Sequence, residues 1–411
     1  MQPMLRTFRR HRLMPALVVM QIALATAILC NTLALLQQRL APLLMPDGVA
    51  ARQLILVSQI ASQAAPWTGA QVRAGEDALR AIPGIVAVTS GVNLPMLTSV
   101  RITGNVSNAS GKRTVNSAAM IGDDLVPTLG AHIVAGRDFR ASELVHAAAQ
   151  NAMGMQSSAP VILTRSLARH LFPHQNPLGQ SVRIGQNHPY DHVVVGVLNH
   201  LVRSDISAKT QADAGNVMLL PARVSGMPFI QYAVRSRIGA QASVLKAIPA
   251  VIDRAFPADM RMSGLKPKVQ TFEHARDAVF NSRRAAAWLL SSVTLVVLIV
   301  TLIGIMGLTG FWVQQRTRQI GVRRALGARR VDILRYFQTE NFLLATAGIA
   351  LGCAAAIGIN VWLMAHYAVP RLPIVYLPIG AVALWLLGQL AVLGPALRAA
   401  RVPPTTAMRA A

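Results

Sequence analysis

Two histidine pairs have the spacing of metal ligands. His170 and His174 lie four residues apart, as do His188 and His192, a separation at which two imidazoles on one helix can share a zinc ion. Pro173 disrupts the helix that the first pair would need, and Pro189 places the second pair in a loop. No convergent cysteines or carboxylates accompany either pair, so surface histidines are the default and no metal is assigned. A nucleotide cradle is the next chemistry to weigh. The stretch Gly104 to Arg113 approaches a P-loop, but Val106 stands where a glycine is needed before Gly111-Lys112, and Arg113 replaces the Ser or Thr that would take Mg²⁺. A loop turn is the simpler reading, and no cofactor is assigned to this chain. No nucleophile elbow, H-E-x-x-H or kinase pattern occurs, so an enzyme is not expected. Glu340 reads as a helix N-terminal charge favoured by the dipole, or as a contact to a neighbouring helix or loop.

What remains is binding. Phe311 to Phe337 reads F-W-V-Q-Q-R-T-R-Q-I-G-V-R-R-A-L-G-A-R-R-V-D-I-L-R-Y-F and holds seven arginines against one acid, Asp332. Long apolar runs flank it on both sides. Short loops rich in Lys and Arg stay on the cytoplasmic side of a membrane. Gly327 breaks the segment into two short helices. After it, Val331, Leu334 and Phe337 recur at helical spacing with the arginines off that face. Two readings stand side by side: an orientation-setting loop lying on lipid headgroups, or a docking element for a cytoplasmic partner.

The run Q-R-T-R-Q-I-G-V-R-R-A-L-G-A-R-R resembles the signature that follows the second membrane helix of MacB/FtsX-type ABC transporter permeases, with Gln315 and Gln319 where that family often carries Glu. The resemblance implies that Arg323, Arg324, Ala325, Leu326, Gly327 and Ala328, with Val331, Leu334 and Phe337, dock a separate ABC ATPase subunit. ATP is then used by that partner and not bound here.

The elements that hold this segment follow from composition. The chain has 411 residues, 53% of them hydrophobic and 14% charged, which suits a membrane protein carrying a substantial polar domain. The formal charge of +24 invites nucleic acid. The arginines cluster at the N-terminus, in the opening stretch and in the tail rather than in one patch, so no nucleic-acid partner is expected. Cys30 and Cys353 both sit in apolar runs and make no disulfide framework.

Arg6, Arg9, Arg10 and Arg12 precede an uncharged run longer than the roughly 7–15 residues of a signal-peptide core. The expected order is a cytoplasmic N-terminus (1–12), a first transmembrane helix (13–38), a periplasmic core domain (39–284), a second helix (285–313), a cytoplasmic coupling segment (314–340), a third helix (341–365), a short periplasmic turn (366–372), a fourth helix (373–397) and a cytoplasmic tail (398–411). The fold class is an α-helical membrane protein with four transmembrane helices and a large mixed α/β periplasmic domain inserted between helices 1 and 2. Gly304, Gly307 and Gly310 favour close helix packing or a flexible end, and Gly348 and Gly352 form a G-x-x-x-G helix-packing pair.

Inside the periplasmic domain, strand, helix and strand are expected over Arg52–Gln59, Gly69–Ile82 and Ile85–Asn93. The same order recurs over Phe229–Arg235, Ala240–Phe256 and Met260–Lys268. These two β-α-β units form a split subdomain (50–97 and 222–270) around an insert (98–221) expected to carry a second core. Within the insert, Arg101–Thr114 reads as a Gly/Ser/Asn-rich loop. Asp123–Leu129 reads as a short helix capped by Asp123, and Thr164–Leu171 as one capped by Thr164. Further along, L-G-A-H-I-V-A-G-R-D-F, then P-V-I-L-T-R-S-L-A-R-H-L-F-P-H-Q-N-P-L-G-Q-S-V-R-I-G, then V-V-V-G-V-L are similar to the MacB-type periplasmic core domain. The tail P-A-L-R-A-A-R-V-P-P-T-T-A-M-R-A resembles the closing motif of the same permeases.

The resemblance implies a non-catalytic permease subunit of an ABC transporter without a fused ATPase domain, in the bacterial inner membrane with both termini cytoplasmic. Its implied partners are the ATPase, a second permease subunit in a homo- or heterodimer, membrane lipids, and a periplasmic membrane-fusion protein with an outer-membrane duct. The implied function is export or extraction of a substrate. An FtsX-like regulatory subunit that activates a periplasmic hydrolase is the alternative.

Overall fold

Short blocks of β-branched and other apolar residues, bounded by Gly, Pro and Asn, fill the chain between its first two long apolar runs, and they fold as strands. The computed structural model describes residues 13–97, 101–147, 159–185, 190–203, 213–315, 329–367 and 371–401. In chain order the elements are α1 (Leu13–Leu44), β1 (Leu54–Ala61), α2 (Gly69–Arg80), β2 (Ile85–Val92), β3 (Thr103–Asn108), β4 (Thr114–Gly122), α3 (Leu125–Leu129), β5 (Ile133–Gly136), a 3₁₀ turn (Ala141–Glu143), β6 (Val145–Ala147), β7 (Ala159–Thr164), α4 (Arg165–Leu171), β8 (Ser181–Ile184), β9 (Tyr190–Leu198), β10 (Val217–Val224), β11 (Phe229–Ser236), α5 (Gln241–Ala255), β12 (Lys268–Thr271), α6 (Phe272–Gln315), α7 (Arg330–Tyr367) and α8 (Tyr376–Arg401). Two units separate. One is Ala41–Ser282, and the other is Met1–Leu40 with Arg283–Ala411.

Unit Ala41–Ser282 is built on one sheet with strand order β12-β1-β11-β2-β4-β3-β8-β9-β7-β10-β6, and β5 pairs with β9. At one end the two distant β-α-β segments interleave, because β11 inserts between β1 and β2 with antiparallel pairing to both. Helix α2 starts on a capping box, in which the Thr68 side chain accepts from the Gln71 amide while Gln71 reaches back to Thr68. Its apolar face joins that of α5 in one cluster through Val72, Leu79, Val244, Ile248 and Ile252. Phe256 closes the layer edge-on to Trp67, with ring centroids 5.0 Å apart. Gly75 is required there, since a Cβ would stand 2.5 Å from the Tyr232 hydroxyl and 2.7 Å from the Phe256 ring.

The insert does not make a separate core, contrary to the sequence expectation. Gly91 pairs with Gly122 and Val92 with Ile121, stitching β2 to β4. Beyond that seam β4, β3, β8, β9, β7 and β10 pair in turn, and β10 returns to pair in parallel with β4, so six strands close a ring. Alternation assigns the two faces. Ala119, Ile121, Val161, Leu163, Met218 and Leu220 extend the cluster that holds α2 and α5. Ala118, Met120, Ile162, Val217 and Leu219 join Leu54, Leu56, Phe272 and Phe280 in a second cluster. Each cluster crosses from the split part into the insert, because continuous pairing carries the pleat across the seam.

Three local expectations are corrected. The polar stretch after residue 100 is a hairpin and not a loop. β3 pairs with β4 through Thr103↔Ala118 and Ser107↔Thr114, and Gly111 supplies the turn at φ +68°. The last strand is β12, Lys268–Thr271, whereas 260–267 is turn and irregular backbone with a single bridge from Arg261 to Ser62. Neither insert helix is capped as the sequence suggests. Asp124 occupies the α3 cap position without a side-chain cap bond. The Thr164 hydroxyl, at the α4 cap position, instead donates to Gly215 O at 2.6 Å and accepts from Val217 N at 3.1 Å, tying β7 to the start of β10.

One buried acid gives this unit a pH dependence. Glu76 is buried and accepts the Ser90 N–H at 2.9 Å. Burial, and then the Asp123 charge, push its carboxyl above the ordinary range, against the Ser90 hydrogen bond and Arg80. An acid whose pKa rises on folding stabilises the fold when protonated, and that contribution is lost as pH rises through the raised value. Glu76→Gln is uncharged at every pH and can accept the same N–H. It is expected to unfold at a higher temperature than the native chain at pH 8 and to match it near pH 4. A pair of melting curves at each pH checks this.

Candidate functional site

Among its described residues the second unit carries four helices long and apolar enough to cross a membrane, at Pro15–Ala41, Arg283–Gln315, Val331–His366 and Tyr376–Arg398. Helices satisfy their own backbone hydrogen bonds, as a hydrocarbon surround demands. On α6 a band of large apolar side chains faces outward, including Trp288, Leu289, Leu295, Val296, Ile299 and Ile303. That is the lipid-facing character expected of a span. Inward, Ile22 and Ala25 of α1 pack with Ile305 of α6, Ala345 and Ile349 of α7, and Leu384 and Val392 of α8.

Small residues let α1 and α7 approach closely. A Cβ on Gly348 would lie 2.8 Å from Ile22 Cβ and 2.9 Å from Val19 O, and one on Gly352 would lie 2.5 Å from both Ala23 O and Thr26 Cβ. Two of these four neighbours are backbone oxygens, which cannot rotate away. One turn further on, Asn31 Nδ2 donates to Ala356 O at 3.2 Å across the same seam. Of the α6 glycines, Gly304 faces Gln21, whose amide fills the space a side chain would take. Gln21 Nε2 donates to Val300 O and Thr301 O, each at 3.3 Å. Gly307 and Gly310 meet nothing and instead line a groove of about 570 Å³ together with Pro395 and Arg398. On α8, Trp385 stacks on Phe342 with centroids 5.5 Å apart and donates to Thr346 at 3.2 Å.

Arg323, Arg324, Ala325, Leu326, Gly327 and Ala328 lie outside the described residues. The rest of the expected docking face is on α7, which starts at Arg330, well before the span boundary expected at 341. Asp332 caps that start by accepting from Arg329 N at 2.9 Å. The three apolar positions do not share one environment. Val331 is 52% exposed, Leu334 is half-buried, and Phe337 is 3% exposed among Ile333, Val18 and their neighbours in the bundle. Residues three apart on a helix are rotated by about 60°, so 331, 334 and 337 sweep from the surface into the core. Phe337 therefore belongs to the intramolecular packing and is corrected as a docking residue, which leaves Val331 as the open member of that face.

Glu340 is corrected too. It stands well past the first turn of α7, beyond the range of a dipole effect, and is buried in the bundle. With Pro15, Thr309 and Asn341 it lines a cavity of about 20 Å³. An interhelical contact is the reading that fits. Sequence reasoning passed over Gln21, Asn31 and Asn341, polar residues inside apolar runs, whose rarity there is the signal that could have found them. The histidines reach no common point among the described residues. His170 Nδ1 lies 3.3 Å from Asn216 Oδ1. His192 is buried on β9, where burial lowers its pKa, and His188 is outside the described residues.

Comparison with known proteins covers both units. The MacB-like periplasmic core domain profile matches residues 22–253, more than half of the chain, and the FtsX-like permease C-terminal profile matches 291–404. The macrolide export ATP-binding/permease protein MacB of Rhodospirillum rubrum is 31% identical over 271 residues, 63% of this chain and 39% of that protein. The pyoverdine export ATP-binding/permease protein PvdT of Pseudomonas fluorescens is 31% identical over 242 residues, 57% of this chain and 35% of that protein. The chain thus spans well under half the length of these curated relatives. The periplasmic region of MacB from Actinobacillus actinomycetemcomitans aligns with 57% of this chain and 95% of its own, at 13% identity and a TM-score of 0.35, a likeness too distant to carry more.

Proposed function

The chain belongs to the MacB-like family of ABC transporter permeases, and on that premise we propose that it couples ATP hydrolysis by a separate ABC ATPase subunit to a change in its periplasmic α/β unit that drives export or extraction of a substrate. One observation carries this reading. The two family matches follow one another along the chain, the first over the α/β unit and the second over the last three helices. In this reading ATP hydrolysis belongs to the ATPase, and the helices and α/β unit of this chain transmit it. The permease places its α/β unit in the periplasm, and 316–328, the N-terminus and the tail in the cytoplasm of a bacterial inner membrane. That orientation follows from arginines in every short segment on one side. A second permease subunit completes the transporter, with a periplasmic membrane-fusion protein and an outer-membrane duct receiving the cargo.

Relatives named for macrolide and for pyoverdine export favour export over activation of a hydrolase. Those two cargoes are unlike, so cargo class does not transfer from either relative. The docking surface is the segment from Arg323 to Ala328 continued by Val331 and the half-buried Leu334. Tagged chain purified from its native membranes is expected to bring down an ABC ATPase, recognised by Walker A peptides in mass spectrometry. The isolated complex is expected to hydrolyse ATP several-fold faster than the ATPase alone. Pull-downs with no ABC ATPase in them would overturn the coupling reading.

A further inference from the structure

The chain has two cysteines in 411 residues, Cys30 and Cys353. They lie in different spans, α1 and α7, and both are free thiols. Folding brings them to one place. Contacts between the two helices advance in step along both, from Ile22 with Gly348, through Thr26 with Gly352, to Asn31 with Ala356. Cys30 shares a packed cluster with Ala356, so the seam brackets Cys30 on one helix and Cys353 on the other. The two thiols are neighbours there, each close enough to act on the other.

A disulfide needs backbones held close, with Cα atoms about 4.4–6.8 Å apart. Gly348 and Gly352 supply that approach, since a Cβ on either would strike a backbone oxygen of α1. On α8, Gly380 packs against the Cys30 thiol, where a Cβ would stand 2.6 Å from Sγ. Cys30 is wholly buried, whereas Cys353 is half-exposed. A charged, water-soluble oxidant enters hydrocarbon only at high cost. An oxidant for this pair therefore dissolves in the lipid and arrives at Cys353.

We propose that Cys30 and Cys353 form a redox-active dithiol, oxidised to an intrachain disulfide by a lipid-soluble two-electron oxidant of the quinone class. Both S–H bonds break and one S–S bond forms. The thiols give up two electrons and two protons, and the quinone takes up both and leaves as the quinol. The disulfide ties α1 to α7 at the glycine seam, and the dithiol leaves that seam held by packing alone. The site is independent of ATPase coupling.

The test takes the full chain in lipid nanodiscs, reduced and then treated with a short-tailed, fully substituted benzoquinone. Unfolding in detergent with a maleimide present then counts the free thiols. The native chain is expected to lose both maleimide-reactive thiols and to yield one linked peptide pair containing Cys30 and Cys353. Dithiothreitol is expected to restore both thiols. Oxidised glutathione, confined to water, is expected to leave both free. In a chain carrying Cys353→Ala and Gly358→Cys, the second thiol moves to an exposed point where a Cβ meets nothing within 4 Å. Both thiols of that chain are expected to survive the quinone. Two free thiols in the quinone-treated native chain would overturn the proposal, as would a disulfide joining two chains or equal thiol loss in the native and shifted chains. Equal oxidation by glutathione would overturn the lipid route.

Discussion

A Leu326→Asp chain is expected to insert in the membrane like the native chain and to lose its ATPase. The segment around it, R-R-A-L-G-A, is more specific than an orientation signal requires, because orientation needs arginines and not small and apolar residues at fixed places. At protein interfaces a buried apolar anchor can cost about 2 kcal/mol or more on truncation, whereas an exposed charge contributes about 0–1 kcal/mol. A carboxylate placed at the anchor adds desolvation to the lost contact. Leu326→Asp should therefore reduce co-purified ATPase by at least about 30-fold in apparent affinity, the equivalent of 2 kcal/mol, and return the hydrolysis rate to that of the free ATPase. Arg318→Gln should leave both within about fivefold. Val331, exposed on the first turn of α7, should fall between them as Val331→Asp. A full complement of bound ATPase in the Leu326→Asp chain would reduce the segment to a topology signal.

The second large effect is expected at Gly352. Leucine there would drive its Cβ into Ala23 O and Thr26 Cβ of α1, both 2.5 Å from where that atom must sit. Relief requires α1 to move as a body, since one of those contacts is backbone. Overpacking of this kind costs about 1–3 kcal/mol or more. The same movement would lengthen the Asn31 to Ala356 hydrogen bond that crosses the seam. Gly358 lies on the same helix, and a Cβ there meets nothing within 4 Å, so Gly358→Leu is the matched control. Melting of the purified chain in nanodiscs is expected to fall by several degrees for Gly352→Leu and to stay unchanged for Gly358→Leu. Equal melting of the two would mean that the close approach of α1 and α7 is not a stabilising contact.

The four spans were legible because each is a long apolar run, and a membrane leaves a helix few alternatives. Most elements of the two β-α-β segments were legible as well, though neither their interleaving nor the place of the last strand was. Blocks such as Leu54–Ala61 and Phe229–Ser236 declare themselves by apolar content, and Pro83-Gly84 and Pro257 punctuate the helices between them. What the sequence hid was long-range pairing. Nothing local to Thr114–Gly122 says that β10, about a hundred residues on, returns to pair with it and close a ring. The polar composition of Thr103–Asn108 hid a strand, because its partners on both sides supply the ordering that its own propensity lacks. Thr164 looked like a cap because Ser and Thr so often are. The hydroxyl found stronger use in holding Gly215 and Val217. At the docking face, a spacing of three placed Val331 and Phe337 together on paper. The small rotation per step, and a bundle waiting on one side, put Phe337 inside.

Coupling across a membrane requires the α/β unit and the arginine-rich segment to lie on opposite sides of it. With Cys30 and Cys353 replaced by alanine, single cysteines at Ser110, exposed in the β3–β4 turn, and at Arg329, exposed just before α7, report the two sides. Treatment of spheroplasts with a membrane-impermeant maleimide is expected to label Ser110→Cys within minutes and to leave Arg329→Cys unlabelled until the membrane is lysed. Labelling of Arg329→Cys in intact spheroplasts, with Ser110→Cys protected, would contradict the account.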